Sequence, residues 1–383
     1  MKAAGVVAEF DPFHNGHSYL LEKIRESGAT HIAVAMSGDL TQRGGVALYD
    51  KQARARCAVK NGADIVLELP PPFSCSCSEI FARSAVKLLA GLRVDTIAFG
   101  SEVTDKQLLY ECADISLSLS DNEEIRELTA QGLSYPKAMS EYIGAHYGAE
   151  YAEVFSQPNA TLGIEYIKAA RALGISEFMP IKRAGVSHNS SDMSGRFASG
   201  SLIRERVRQG ESVSELTPLD TAALSPAFIE IMEGHILFTL CGGDEARLSE
   251  CPDISTGILE SILRLKREMP ATLDELFGKL KNKGVTLARL RRIALFLSAG
   301  LENVSVDELT AARVLAFNKR GAQLLGNAKD GEVSFYTSLS RIEEAAPKLV
   351  QNINKGAYFR YLCTDKSVPC TNEYTRKIII ERE

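Results

Sequence analysis

Two histidines near the amino terminus are the residues of this chain best suited to chemistry. They stand three positions apart in the run His14-Asn15-Gly16-His17, where apolar residues at helical spacing begin. At a helix start both rings lie on one face, beside backbone amides that have no partner within the helix. Such a site binds anions and is suited to nucleotide phosphates, and Gly16 leaves room for a base or a ribose against the backbone. The alternative, a pair of solvated surface histidines, is disfavoured because a strand, a turn and a helix converge on the pair.

A second candidate phosphate site lies some 185 residues further on, in Ser199-Gly200-Ser201-Leu202-Ile203-Arg204. Small hydroxyl residues open a helix there, and Arg204 follows one turn later. Alone, a serine at this position is an ordinary helix cap. Combined with the histidine motif, it predicts two phosphate cradles. One would hold the adenylate end of a nucleotide and the other the departing pyrophosphate.

Strands alternating with helices must position these motifs. Apolar runs predict strands at residues 3–9, 31–36, 64–69, 96–100 and 178–183. This spacing is typical of an α/β fold with a parallel sheet and right-handed crossovers, which binds ligands beyond the carboxyl ends of its strands. Residues 11–17, 37–43 and 100–102 would then share one edge. Arg43 and Lys51 are candidate phosphate partners there, although each is equally consistent with a solvated residue. Asn159, which follows a proline, is either a helix cap or a nucleotide contact.

Length and composition predict two domains in an ordinary globular protein. A chain of 383 residues is too long for one compact core, and we place the boundary between residues 225 and 226. From residue 226 the pattern becomes mainly helical, at 226–239, 256–268, 272–280 and 286–299. No apolar run approaches the roughly 18 residues of a membrane span, so we expect a cytoplasmic protein with no membrane partner. The eight cysteines lack zinc spacing. We therefore expect reduced thiols, no disulfide and no structural metal.

A local basic stretch lies in the helical half, although the net charge of the chain is -5. It has six basic residues and no acidic one: Lys279, Lys281, Lys283, Arg289, Arg291 and Arg292. Such a run can neutralise RNA phosphates. Residues 313–321 form a second basic stretch. The alternative is a solvated helix face that happens to be basic.

Several stretches resemble a known family. Residues 5–21 with the histidine motif, together with residues 199–204, resemble the HxGH nucleotidyltransferase superfamily. Residues 10–17, 36–38, 42–44, 62–70, 99–102, 158–159 and 162–166 are similar to the bacterial tRNA(Met) cytidine acetate ligases within it. The likeness covers most of residues 1–210. It implies a Rossmann-like, HIGH-type nucleotidyltransferase domain followed by a mainly α-helical, tRNA-binding domain.

The resemblance also implies an activity and its residues. The family activates acetate with ATP and Mg²⁺ to acetyl-adenylate and passes the acetyl group to N4 of the wobble cytidine of elongator tRNA(Met). By resemblance His14, His17 and Arg204 would be catalytic. The ATP site would comprise Val7, Ala8, Glu9, Phe10, Asp11, Pro12, Phe13, His14, Asn15, Gly16, His17, Ser18, Tyr19, Leu20, Gly100, Asn159, Arg183, Ser199 and Ser201.

Two other functions are consistent with the sequence. One is an adenylyltransferase that acts on a small phosphate-bearing acceptor, although such an enzyme does not need the basic helical half. The other is a non-catalytic protein that binds ATP and tRNA, against which the intact histidine motif argues. Acetate-dependent exchange of pyrophosphate into ATP separates these possibilities.

Overall fold

A computed structural model describes residues 1–119, 122–183, 197–282, 284–328 and 331–382. The strands are β1 (Ala3–Ala8), β2 (His31–Ser37), β3 (Leu40–Thr41), β4 (Gly45–Val46), β5 (Ile65–Leu69), β6 (Thr96–Ser101), β7 (Glu177–Lys182), β8 (Ala311–Phe317), β9 (Ser334–Tyr336) and β10 (Ile379–Ile380). The helices of the first half are α1 (Asn15–Glu26), α2 (Lys51–Lys60), α3 (Ser78–Gly91), α4 (Lys106–Ser118), α5 (Glu123–Ala130), α6 (Tyr135–His146), α7 (Ala149–Ser156), α8 (Pro158–Ala172) and α9 (Gly200–Arg208). The second half contributes α10 (Glu233–Gly242), α11 (Glu245–Ser249), α12 (Thr256–Leu265), α13 (Leu273–Leu280), α14 (Leu287–Ser298), α15 (Lys319–Asn327), α16 (Leu339–Ala345) and α17 (Pro347–Leu362).

One sheet of eight strands organises the described residues, in the order β10-β8-β5-β2-β1-β6-β7 with β9 beside β8. The five predicted strands are all present and pair in parallel with their neighbours among these five. Alternate residues of β1 enter hydrophobic clusters on opposite faces of the sheet, because successive side chains of a strand point to opposite sides. The predicted α/β class with a helical carboxyl-terminal part is confirmed.

The sheet also contains strands that the sequence reasoning missed. β8 pairs antiparallel with β5, and β9 and β10 pair with β8. Residues on both sides of the predicted 225/226 boundary therefore share one sheet, and the boundary itself stays a prediction. Arg313, which we assigned to a second basic stretch, is only 2% exposed within β8 and pairs with Glu373 at 2.6 Å. Its guanidinium is not available to RNA.

The helical region has a hydrophobic cluster of its own. Apolar side chains of α10, α12, α13 and α14 pack together, with Leu40 and Val46 of the β3–β4 hairpin and Phe359 of α17. Helices at residues 226–301 therefore rest on a hairpin that follows β2. None of the helices in the described ranges is long and apolar enough to cross a membrane.

A buried ionic cluster ties the carboxyl-terminal segment to the sheet. Lys51 has no exposed surface, and its ammonium contacts Asp39 at 2.9 Å, Glu68 at 2.6 Å and Glu373 at 2.9 Å. Because its charge is fully engaged, the suggestion that Lys51 meets nucleotide phosphates is wrong. Its contacts instead hold the loop after β2 against the end of β5.

Candidate active site

The histidine motif forms a reciprocal helix cap. Nδ1 of His14 accepts a hydrogen bond from the Gly16 amide at 3.1 Å, and Nδ1 of His17 accepts one from the His14 amide at 3.1 Å. A ring nitrogen that accepts a backbone N–H carries no proton itself. In each neutral imidazole the proton therefore lies on Nε2. The two rings are stacked with centroids 3.7 Å apart, so they offer a pair of adjacent Nε2–H donors.

Both rings are held in the neutral state near pH 7. Burial, with the neighbouring Arg183 adding to its effect, lowers the pKa of His14 to about 4. Burial likewise keeps the pKa of His17 well below 6.5, with His14 and Arg183 adding to the effect. A neutral imidazole can donate a hydrogen bond to a phosphate oxygen without the desolvation free energy that burial of a charged ring would cost. The site is thus preorganised for hydrogen bonding to phosphate.

Aromatic side chains fix the orientation of His17. The rings of Phe10 and Phe13 lie 4.8 Å and 5.6 Å from its ring, centroid to centroid. Both phenylalanines are buried, and Phe10 has a left-handed backbone with φ 48°. This conformation turns the chain sharply out of β1 and places the helix start over the strand end.

The second predicted motif packs directly on the first. Arg204 of α9 forms an ion pair with Asp11 and donates to the Asp11 carbonyl at 3.2 Å. A Cβ atom at Gly200 would lie 2.7 Å from that same carbonyl oxygen, so only glycine allows this approach. Ser199 caps α9 by accepting from the Leu202 amide, and the guanidinium of Arg204 also reaches the Ser201 hydroxyl at 3.4 Å. The predicted convergence of the two motifs is present in the structure.

A polar chain borders the site beyond β6. Arg183 donates to the Asn159 side chain at 3.1 Å, and Asn159 in turn donates to Glu102. Glu102 also accepts from the Ala160 amide at 3.0 Å. Asn159 is therefore not the cap of α8, which is Gln157. Gly100 lies beside Arg183, since a Cβ there would be 3.6 Å from the Arg183 side chain.

Two residues without a predicted catalytic role also shape this edge. Glu102 joins the polar chain just described. Arg54 of α2 is fully buried and donates to the carbonyls of Glu9 at 2.7 Å and Ser37 at 3.0 Å, and also to that of Gly38. It thereby ties the end of β1 to the end of β2.

The predicted nucleotide residues between Val7 and Leu20 fall into two groups. Val7, Phe10, Asp11, Pro12 and Phe13 are buried, so their side chains support the turn. The half-buried positions are Ala8, Glu9, Asn15, Gly16, Ser18, Tyr19 and Leu20 as well as both histidines. Among them, Ala8 and Leu20 pack against the hydrophobic core. Tyr19 packs edge-on against Phe197 with centroids 5.8 Å apart. The polar stretch at 185–194, which contains His188, lies outside the described residues.

The basic stretch does not form one free cationic face. Lys279 pairs with Glu268 at 2.9 Å and Glu275 at 3.0 Å, and Arg292 is buried against Asp253 at 2.6 Å. Arg289 donates to the Asp253 carbonyl at 2.8 Å. Lys279 and Arg292 are thus paired with carboxylates, and Arg289 is tied to a backbone carbonyl through Nε. The RNA-binding role of these three residues stays a prediction, but they do not form the freely solvated row of cations that the sequence suggested. Lys281 and Arg291 are exposed, whereas Lys283 lies outside the described residues.

The β3–β4 hairpin lies between α14, which carries part of the basic stretch, and the histidine site. A Cβ at Gly44 would lie 2.5 Å from the Arg291 backbone, so the hairpin tip is in close contact with α14. Two residues earlier, the Gln42 amide donates to Glu9 at 2.6 Å. Arg43, between them, is exposed.

Comparisons with known proteins agree with this geometry. The model of the HIGH Nucleotidyl Transferase family matches residues 1–373. The tRNA(Met) cytidine acetate ligase of Syntrophotalea carbinolica is 35% identical over 367 residues, covering 89% of this chain and 86% of the relative. That of Clostridium kluyveri is 30% identical over 411 residues, covering 99% of both chains. The crystal structure of Thermotoga maritima TmcAL bound with alpha-thio ATP superposes with a TM-score of 0.88 at 27% identity, covering 100% of each chain.

Proposed function

The chain belongs to the HIGH nucleotidyl transferase family and to its tRNA(Met) cytidine acetate ligases, and we propose that it acetylates tRNA. In this reaction ATP activates acetate to acetyl-adenylate, and the acetyl group then passes to N4 of the wobble cytidine of elongator tRNA(Met). The observation that carries the proposal is the reciprocal cap of His14 and His17, which leaves two neutral Nε2–H donors at a helix start.

The first step fits these donors. An acetate oxygen attacks the α-phosphorus of ATP, and the bond from that phosphorus to the bridging oxygen breaks, so that pyrophosphate leaves. Acetate is ionised at neutral pH and needs no base. The step instead requires stabilisation of charge on the α-phosphate and on the leaving group. His14 and His17 supply donors to the α-phosphate, while Arg204 and Arg183 supply positive charge at the two sides of the site.

Mg²⁺ would accompany the nucleotide. Both carboxylate oxygens of Asp11 are already used, one by the Leu48 amide at 2.7 Å and the other by Arg204. No group of three or more His, Cys, Asp or Glu in the described part of the chain is arranged to hold a metal ion. Because Mg²⁺ keeps several waters and binds phosphates readily, the triphosphate rather than a protein cage would hold it, supplying further charge neutralisation.

The nucleotide would lie along the predicted segment from Val7 to Leu20, with Gly100, Asn159 and Arg183 at one side and the α9 start at the other. The tRNA would approach from the side of the β3–β4 hairpin, where Arg43 and Arg291 are exposed. Such a substrate places the protein in the cytoplasm.

Isotope exchange tests the first half of this proposal. With acetate and ATP but no RNA, labelled pyrophosphate should enter ATP. His17→Ala should abolish exchange because it removes one of the two donors. His146→Ala is the matched control, since that ring is exposed on α6. Exchange that requires a phosphate-bearing acceptor instead of acetate would show that the protein is an adenylyltransferase.

Mass spectrometry of nucleosides tests the second half. Unmodified elongator tRNA(Met), incubated with the protein, ATP and acetate, should yield N4-acetylcytidine. The same tRNA with another base at the wobble position is the control. Robust acetate-dependent exchange with no acetylated nucleoside would contradict the proposed acceptor.

A further inference from the structure

The acetyl-transfer step leaves a proton to be removed. As the N4 amine of cytidine attacks the acetyl carbon, the new carbon–nitrogen bond makes that nitrogen acidic. A base must then take the proton while AMP departs. Neither histidine is suited to this task, because Nε2 of each ring carries a proton and Nδ1 is occupied by a backbone amide.

Three carboxylates of the described residues lie around the site, and in two of them both oxygens already accept a hydrogen bond. Asp11 is held by the Leu48 amide and by Arg204. The two oxygens of Glu102 accept from the Asn159 side chain and the Ala160 amide. Each oxygen of these two carboxylates therefore already accepts a hydrogen bond, which stabilises the ionised form and weakens it as a base.

Glu9 differs from these two. Its Oε1 accepts from the Gln42 amide at 2.6 Å, while no described residue donates a hydrogen bond to its Oε2. The side chain is half-buried at the end of β1. It therefore lies between the histidine turn that follows it and the hairpin that contacts α14.

We propose that Glu9 is the general base of acetyl transfer, with Oε2 as the proton acceptor. The inference rests on the proposed function. The N4 lone pair attacks the acetyl carbonyl, the C–N bond forms, and the bond from the acetyl carbon to the AMP oxygen breaks. AMP leaves with that electron pair, and the N4 proton moves to Glu9 Oε2 and then to water.

The surroundings of Glu9 strengthen it as a base. Burial raises its pKa, and the neighbouring Asp11 carboxylate raises it further. The Gln42 amide, Arg43 of the hairpin and Arg204 of α9 oppose this rise. Tyr166 of α8 also faces Glu9, and its own pKa is raised by burial and by that carboxylate. A base with a raised pKa takes protons more effectively than an ordinary carboxylate.

Single-turnover transfer, measured beside pyrophosphate exchange, tests the proposal. Glu9→Gln keeps an oxygen for the Gln42 amide but cannot accept a proton. The ratio of the transfer rate to the exchange rate should fall by about 10²–10⁴, the usual contribution of a general base. Glu9→Asp, which keeps a carboxylate, should retain the rise of the transfer rate with pH that Glu9→Gln loses. Glu22→Gln, on the exposed side of α1, is the matched control.

An unchanged ratio in Glu9→Gln, or an equal loss of both rates, would overturn the role of Glu9. Failure of the proposed function is distinguishable, because it appears in the wild-type chain as absent exchange or absent transfer.

Discussion

Acidification should destabilise this protein through the two histidines of the helix cap. The folded chain lowers the pKa of His14 from 6.5 to about 4, so the fold favours the neutral ring. As the pH falls below 6.5 the unfolded chain takes up a proton and the folded chain does not. The stabilisation is therefore complete above pH 6.5 and is lost as the pH falls towards 4.

The size of the effect follows from that shift. Between pH 7.5 and pH 5 the linkage relation gives about 2 kcal/mol for His14, taken as an upper figure because the ring is half-buried. His14→Asn is the matched variant, since asparagine caps a helix with its side-chain oxygen but does not titrate. Urea unfolding at both pH values should show the wild-type chain losing up to about 2 kcal/mol more than the variant.

Nuclear magnetic resonance of the ¹⁵N-labelled histidines provides the direct assay. The chain has six histidines, and assignment by variant spectra identifies the two of the cap. Both should show the Nε2–H tautomer, and His14 should titrate near pH 4. A Nδ1–H tautomer, a midpoint near 6.5, or equal pH dependence of unfolding in the wild type and the variant would refute the reasoning.

Three further perturbations test other parts of the structure. Gly200→Ala would place its Cβ 2.7 Å from a carbonyl oxygen of the turn after β1, so the start of α9 would have to move away from that turn. A displacement of about 1 Å should lower kcat/KM for exchange roughly 100-fold. Gly257→Ala, whose Cβ would lie in open space, should leave kcat/KM unchanged. Lys51→Met should lower the free energy of unfolding by about 3–5 kcal/mol in urea titrations, because it leaves three buried carboxylates without their cation. Replacing Lys281 and Arg291 with alanine should weaken tRNA binding and reduce the slope of log affinity against log salt by between about 1 and 2, as measured by filter binding; an unchanged slope would mean that neither side chain meets a phosphate.

The sequence by itself determined the strand, turn and helix around the histidines. The reason is that the interactions there are local. A cap joins residues three positions apart, and apolar runs mark buried parallel strands wherever they occur. The five strands from β1 to β7 that build the parallel part of the sheet, and the helix starts at His14 and Ser199, were accordingly predicted.

Tertiary structure alone decided which charges remain free. Lys51, Arg292 and Arg313 have the same sequence signature as solvated cations, yet each is buried against carboxylates. Their partners are 17, 39 and 60 positions away, measured to Glu68, Asp253 and Glu373. A charged side chain binds phosphate or forms a structural ion pair depending on which groups face it. The local sequence does not indicate which distant residue that will be. The antiparallel pairing of β8 with β5 was hidden for the same reason, because strand pairing across some 250 residues leaves no mark in either segment.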